Sequence, residues 1–282
     1  MHEHPVVSVV MAVYQPHPAY FREAVRSVLE QTYDDIELIV VEDPSSTPAA
    51  DVLRQFPDSR IRHVVNPVRT SLVPSRNQAL GLARGQFVAM LDADDVCRPD
   101  RIQKQVAYFE AHEEACVVGT QLELIDSSGR CRGWRRYPLD HRSIVRAMAR
   151  FNSIAQPSAM LRRRTAVALG ECFYADCETE DYDLWCRLAR KGARFANLPE
   201  ALVQYRIHPD ARKAQTLRQT LRGTIDVKRK YWNSDMGPAD RLRMYAEYLM
   251  LMLPPSFVYR LFILVQCRSA GNGRDGACDR QA

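Results

Sequence analysis

Residues 86–95 read QFVAMLDADD, six mostly apolar, strand-forming positions that run without a break into three carboxylates. A continuous apolar run of that length predicts a strand buried on both faces, as in a parallel sheet covered by helices. Upstream, VVSVVMAV (6–13) and IELIVVE (36–42) have the same character, and RIRHVV (60–65) is a shorter version. Between them lie helical stretches: 18–31, with Phe21, Val25, Val28 and Leu29 on one face, about 48–56, and 73–84, stopped by Gly85. Downstream, Pro99 suits a first helical turn, and Ile102, Val106 and Phe109 form the apolar face that follows. This β-α-β-α order predicts an α/β fold with an open, mostly parallel sheet. Ligands on such sheets bind beyond the carboxyl ends of the strands, where Asp43 and Asp92–Asp95 both fall.

Beyond residue 115 the pattern loosens. CVVGTQLELID (116–126) and CRGWRRY (131–137) flank Ser-Ser-Gly as a hairpin, a helix follows at about 140–150, and SIAQPSAMLRRR (153–164) has no clear period. Thr179-Glu180-Asp181 opens a helix with Leu184, Trp185 and Leu188 facing inward, and LVQYRIHPD (202–210) reads as the last strand. Residues 212–266 have helical periodicity, and 269–282 read as a disordered tail. The expected organisation is one catalytic domain over 1–210, with a nucleotide-binding half (about 5–114) and an acceptor half (about 115–210). A helical extension over 211–268 follows it.

With 282 residues, 46% hydrophobic, the chain can bury a core without staples, which excludes collagen, wholesale disorder and a cysteine scaffold. The 39 Lys+Arg against 34 Asp+Glu give +5, a bias too mild for a dedicated nucleic-acid binder. Eight cysteines show neither a CxxC pair nor zinc spacing, and the N-terminus lacks the basic region of a secretory signal. Reduced thiols and a cytoplasmic location follow as expectations. The apolar stretch 248–266 is broken by Pro254, Pro255 and Arg260, so it predicts two short helices rather than a span. These either pack on the domain or lie at the inner face of a membrane.

Asp92, Asp94 and Asp95 repel one another unless a positive charge offsets them. A hard divalent cation, Mn²⁺ or Mg²⁺, would do so while sharing carboxylates with substrate phosphates; a solvated acidic turn is the plainer alternative. Taken singly, Asp43 could cap a turn, Arg76 and Asn77 could be surface residues, His208 an ordinary loop histidine, and Glu180-Asp181 a first-turn acidic pair. Their order along one chain is what those separate readings leave unexplained.

VSVVMAVYQP, QTYDDIELIVVEDPSS, SRNQALGLARGQFVAMLDADD, RPDRI and ETEDYDLWCRLARKG together resemble family 2 glycosyltransferases of the GT-A fold, over about residues 5–210. The resemblance implies inverting, metal-dependent transfer of a sugar from a nucleotide-diphospho-sugar, UDP-linked by preference, to a hydroxyl of a glycan or lipid-linked acceptor. It implies that Asp43, with Glu42 beside it, contacts the donor base, and that Val13 and Tyr14 lie against the nucleotide. Arg76 and Asn77 would face the nucleotide, Asp92 the ribose or donor sugar, and Asp94, with Asp92 and His208, the metal. Asp181 would be the catalytic base with Glu180 beside it, and a neighbouring carboxylate in a partly dry cleft would raise its basicity.

Pro44 stands where the family usually has glycine and stiffens that loop. Gln156-Pro157-Ser158 replaces a frequent His-Pro-Ser on the acceptor side, and no Gln-x-x-Arg-Trp of the processive synthases occurs, which argues for single-sugar transfer. Trp185 would either wall a sugar face or pack in the core. A sugar nucleotidyltransferase would need a glycine loop where Ala12-Val13-Tyr14-Gln15-Pro16 stands. A nucleotide-sugar-binding module without activity is the non-enzyme alternative. The basic residues Arg206, Arg212, Lys213, Arg218, Arg222, Lys228, Arg229 and Lys230 are either a solvated helix face or a surface for anionic lipid or a phosphorylated acceptor.

Overall fold

The computed structural model describes residues 5–208 and 217–253. Strand β1 (Val7–Val13) lies between β2 (Ile36–Glu42) and β4 (Phe87–Met90), parallel to both, and β3 (Ile61–Val65) extends the sheet beyond β2. Every residue of β2 and β4 is buried, as their unbroken apolar runs require. Helices α1 (Pro18–Leu29), α2 (Ala50–Leu53) and α3 (Leu72–Leu82) make the crossovers. Gly85 leads into β4 where the chains touch: a Cβ there would lie 2.6 Å from the backbone nitrogen of Ser8.

The second half adds β5 (Val96–Cys97), α4 (Arg101–Ala111), β6 (Ala115–Ile125), β7 (Cys131–Arg135), α5 (His141–Met148), β8 (Met160–Arg162) and α6 (Arg163–Ala168). Helix α7 (Glu180–Arg190) and strand β9 (Arg194–Arg206) complete it. The aperiodic run 153–164 contains a 3-10 turn at Gln156–Ser158 and then β8. That three-residue strand is antiparallel to both β4 and β6. Two reversals restore the direction, so β6, and β9 parallel to it, run the same way as β1, β2 and β4. The strand ends Val13, Glu42, Met90, Ile125 and Arg206 therefore share one edge of a mixed, mostly parallel sheet, in the order β3-β2-β1-β4-β8-β6-β9-β5, with β7 paired to β6.

β9 is longer than LVQYRIHPD suggested. It begins at Arg194, and its register with β6 shifts at Gln121, where the two strands bulge. The predicted helical region resolves into α8 (Leu217–Trp232) and α9 (Pro238–Met250), broken at Asn233–Gly237. α8 packs on α7: the Trp232 indole N–H donates to Cys186 Sγ at 3.1 Å, and Tyr231 and Lys230 reach Asp183 at 2.8 and 3.1 Å. Gly223 permits the approach, since a Cβ there would sit 3.0 Å from Glu178 beside the start of α7. Arg206 and Lys228 do not belong to a solvated basic face. Both are buried, Arg206 against Glu23 and the carbonyls of Asp94 and Asp126, Lys228 against Glu247. Arg212, Lys213, the break at Pro254-Pro255 and the tail 269–282 lie outside the described residues.

Candidate active site

The edge where the strands end gathers the predicted residues. β4 ends at Met90, and the chain turns through Asp92 and Asp94. Arg76, on the second turn of α3, donates to Asp92 Oδ1 at 2.6 Å through one nitrogen and to Glu180 Oε1 through another. One guanidinium thus joins the donor-side strand end to the start of α7. Burial alone would depress the Arg76 pKa, but the facing carboxylates of Asp92 and Glu180 raise it above its ordinary value. The repulsion expected between Glu180 and Asp181 is consequently offset, because Glu180 is spent on a cation.

Asp181 stands on the first turn of α7, where the helix dipole favours an anion. Its Oδ2 accepts from Asn152 Nδ2 at 2.8 Å and its Oδ1 from the Tyr182 backbone N–H at 2.8 Å. It is half-buried, whereas Glu180 is 4% exposed, so Asp181 is the member of the pair that a substrate can reach. Gly192 (φ +84°) closes the C-terminal end of α7 as the Lys-Gly sequence leads one to expect.

His208, two residues past β9, meets Asp94, four residues past β4. Its Nε2 lies 2.9 Å from Asp94 Oδ2. Asp92 does not complete a three-donor set with them, because Arg76 holds it, and no group of three metal-type donors converges among the described residues. Asp95 is fully buried and accepts the backbone N–H of Arg206 at 2.9 Å, tying the acidic turn to β9 instead of facing a ligand. Asp94 is 35% exposed and His208 12%. One carboxylate and one imidazole, both partly accessible at this edge, are donors that fit a divalent cation taking most of its ligands from substrate and water.

The loop after β2 departs from expectation. Asp43 is buried and turns both oxygens inward. Oδ1 accepts from Asn66 at 2.7 Å, the Thr70 hydroxyl at 2.9 Å and the Ser75 hydroxyl at 3.1 Å; Oδ2 accepts the N–H groups of Thr70 and Ser71, each at 3.0 Å. Burial pushes the carboxyl pKa up, but these hydrogen bonds outweigh it and hold it below the usual value. Glu42 is occupied as well, by the Ala49 N–H at 2.7 Å and His63 at 2.8 Å. Here Asp43 shapes the 66–75 segment and Glu42 ties down Ala49 and His63, so the oxygens of both acids are taken within the fold. Asn77 is likewise occupied, exchanging two hydrogen bonds with the Tyr174 backbone, at 2.9 and 2.8 Å. Val13 is buried, its carbonyl taken by the Asp43 N–H. Tyr14 is 40% exposed, and the Arg69 guanidinium lies 4.0 Å from its ring centre. Gln15 (φ +46°) and Ser71 (φ +129°), both non-glycine in the left-handed region, flank this corner.

This edge can be set beside known proteins. The sequence matches Glycosyl transferase family 2 over residues 8–169, more than half of the chain. The chain belongs to glycosyltransferase family 2. The putative glycosyltransferase EpsE of Bacillus subtilis is 31% identical, over 92% of this chain and 94% of that one. WfaP of Escherichia coli, a UDP-Glc:alpha-D-GlcNAc-diphosphoundecaprenol beta-1,3-glucosyltransferase, is 29% identical over 79% of this chain and 86% of its own. Among solved structures, the mannosyltransferase PcManGT from Pyrobaculum calidifontis, in complex with GDP-Man and Mn²⁺, superposes with a TM-score of 0.62 at 17% identity, covering 96% of this chain and 77% of that one. The fold is accordingly GT-A, and the protein is a transferase.

In this glycosyltransferase Trp185 is fully buried among Leu184, Leu188 and Trp232, so it packs the core and cannot wall a sugar. Gln156 is also buried, lining a small cavity with Arg76, Tyr174, Met90 and Leu91. Sequence reasoning missed Asn152, Arg69 and the Asn66–Thr70 donors. None lies in a periodic element or carries a motif, and only the fold brings each to a carboxylate or ring. Burial pushes the Cys116 thiol up to about 12 and Cys177 up to about 11, which leaves both poor nucleophiles. No helix among the described residues is long and apolar enough to cross a membrane.

Proposed function

We propose that this enzyme transfers one sugar, with inversion, from a nucleotide-diphospho-sugar to a hydroxyl of a glycan or lipid-linked acceptor, in polysaccharide or glycolipid assembly. The observation that carries the reading is the Arg76 bridge. It ties Asp92, at the strand end where a donor would lie, to Glu180, and so holds Asp181 at the mouth of the same edge. Inversion needs one base that takes the acceptor proton as the oxygen attacks opposite the leaving diphosphate. Asp181 has that access, and Asn152 orients the oxygen that would receive the proton. Asp94 and His208 would hold a divalent cation, which when bound neutralises charge on the departing diphosphate. Tyr14 and Arg69 offer an exposed aromatic and cationic surface to the donor nucleotide. A UDP-sugar is the favoured donor, in line with the donor in the name of WfaP, and a diphospholipid-linked glycan is the corresponding acceptor.

The test joins binding to turnover. Nucleotide sugars are screened for thermal stabilisation with and without Mn²⁺, and the best donor is then assayed with Asp181→Asn. Retained donor binding with turnover lowered about 10²–10⁴-fold is expected for loss of a general base. Unchanged turnover would remove Asp181 from the mechanism, and absence of turnover in the parent with any donor would favour a binding module.

A further inference from the structure

Helix α9 carries an apolar stripe that nothing in the described structure covers. Leu242, Tyr245 and Leu249 are 72%, 62% and 66% exposed, and Met252, two residues beyond the helix, is 82% exposed. Their spacing of three, four and three residues aligns them on one side of a helix. Exposed Arg241 and Arg243 flank the stripe on its two sides, while Met244 and Glu247 point back toward α8, where Glu247 holds Lys228. α9 is thus docked by one face and bare on the other. A monomer gains nothing from so much exposed apolar surface, and patches of this kind mark contact surfaces.

Charge identifies the occupant. Residues 1–208 contain 26 Lys+Arg and 27 Asp+Glu, a net of −1, whereas 209–282 contain 13 against 7, a net of +6. The positive surplus of the whole protein therefore belongs to the segment that carries the stripe. Just past the stripe the sequence continues SFVYRLFILVQ (256–266), a second apolar stretch with Arg260 as its one charge. An apolar helical face bordered by arginines, in a region of net positive charge, is the composition that lies in the head-group layer of an anionic bilayer. A second copy of this chain would set like charge against like, since residues 217–253 alone carry 7 Lys+Arg against 4 Asp+Glu, a net of +3. We infer that α9, through Leu242, Tyr245, Leu249 and Met252, docks the enzyme peripherally on an anionic lipid surface.

The proposal is tested apart from catalysis by co-sedimentation of the full chain with phosphatidylcholine vesicles, with and without phosphatidylglycerol. Binding only to the anionic vesicles, weakened by salt, is expected. The double substitution Leu242→Glu/Leu249→Glu should lower the partition coefficient at least about tenfold, since each leucine withdrawn from the lipid is worth that order. Val167→Glu, at an exposed apolar position on α6, should bind as the parent does. Equal binding by the double variant overturns the inference, as does failure of the parent to bind. Two further outcomes also overturn it. A parent dimer that the double variant abolishes, without vesicle binding, would assign the stripe to a second copy. A large loss of melting temperature in the double variant, again without vesicle binding, would assign it to the chain's own residues 256–266.

Discussion

Replacing Arg76 with Met removes the guanidinium but keeps most of the side-chain volume. In the parent, Arg76 is 11% exposed and holds two carboxylates of unequal burial: Glu180 at 5% side-chain exposure and Asp92 at 33%. Asp92 can turn to water when released, so its share of the loss is at most about 1 kcal/mol. Glu180 cannot, and a buried carboxylate that loses its counter-cation costs about 3–5 kcal/mol. Arg76→Met should therefore destabilise by about 4 kcal/mol. Glu180→Gln alone should cost less, about 1–2 kcal/mol, since Arg76 keeps Asp92 and an amide can still accept from it. In Arg76→Met/Glu180→Gln no charge is stranded, so the double variant should recover about 2 kcal/mol relative to the sum of the singles. Urea unfolding of the four proteins, with equal m-values, measures the cycle. Singles that add within about 0.5 kcal/mol would refute the bridge as an energetic link between the strand end and α7. The donor assay supplies the functional half: Glu180→Gln keeps the fold and should lower turnover more than donor affinity, because it loosens the helix start that carries Asp181.

Asn152→Ala should leave stability within about 1 kcal/mol and donor affinity unchanged. It should lower kcat, because the Asp181 oxygen that would take the proton loses the amide that holds it in place; an unchanged kcat makes Asn152 merely structural. Asp43→Ala strands two backbone N–H groups and should cost about 2–4 kcal/mol in a denaturation series. The Asp43 pKa is lowered on folding, so its contribution is present above the unfolded value near 3.8 and is lost as pH falls through the folded value. The stability gap between parent and Asp43→Ala should accordingly narrow under strong acid, and a gap that widens reverses the assignment. Asp94→Ala and His208→Ala should each abolish the extra thermal stabilisation that Mn²⁺ gives with donor, while leaving the melting temperature without metal within a few degrees. Undiminished metal dependence in both would place the cation elsewhere.

Much of the donor half could be read from the chain. The apolar runs at 6–13, 36–42 and 86–91 became β1, β2 and β4, and the helices between them began and ended within a few residues of their expected bounds. A strand buried on both faces leaves a one-dimensional trace, an unbroken apolar run, and the turns between strands leave proline, glycine and aspartate. β8 left no such trace. Three residues are too few for any period, and its place is set by pairing with β4 and β6, where Leu161 meets Val88 and Val117, 73 and 44 residues upstream.

The roles of individual acids show the same division. The residue types along the edge, acids after β2 and β4 and at the start of α7, are properties of the sequence, because a strand end or helix start is a local matter. Which acid faces solvent is not. Asp43 and Asp95 turn inward because Asn66, Thr70, Ser75 and the Arg206 N–H arrive there from distant segments, and Asp94 and Asp181 remain reachable because none does so as fully. The meeting of His208 with Asp94, 114 residues apart, depends on two antiparallel pairings that return β6 and β9 to the direction of β4. The amino-acid order alone determined the family, the alternating α/β core and the candidate carboxylates. Tertiary structure decided which of them are spent on the fold and which are left for chemistry, because hydrogen-bond donors are supplied through space and not along the chain.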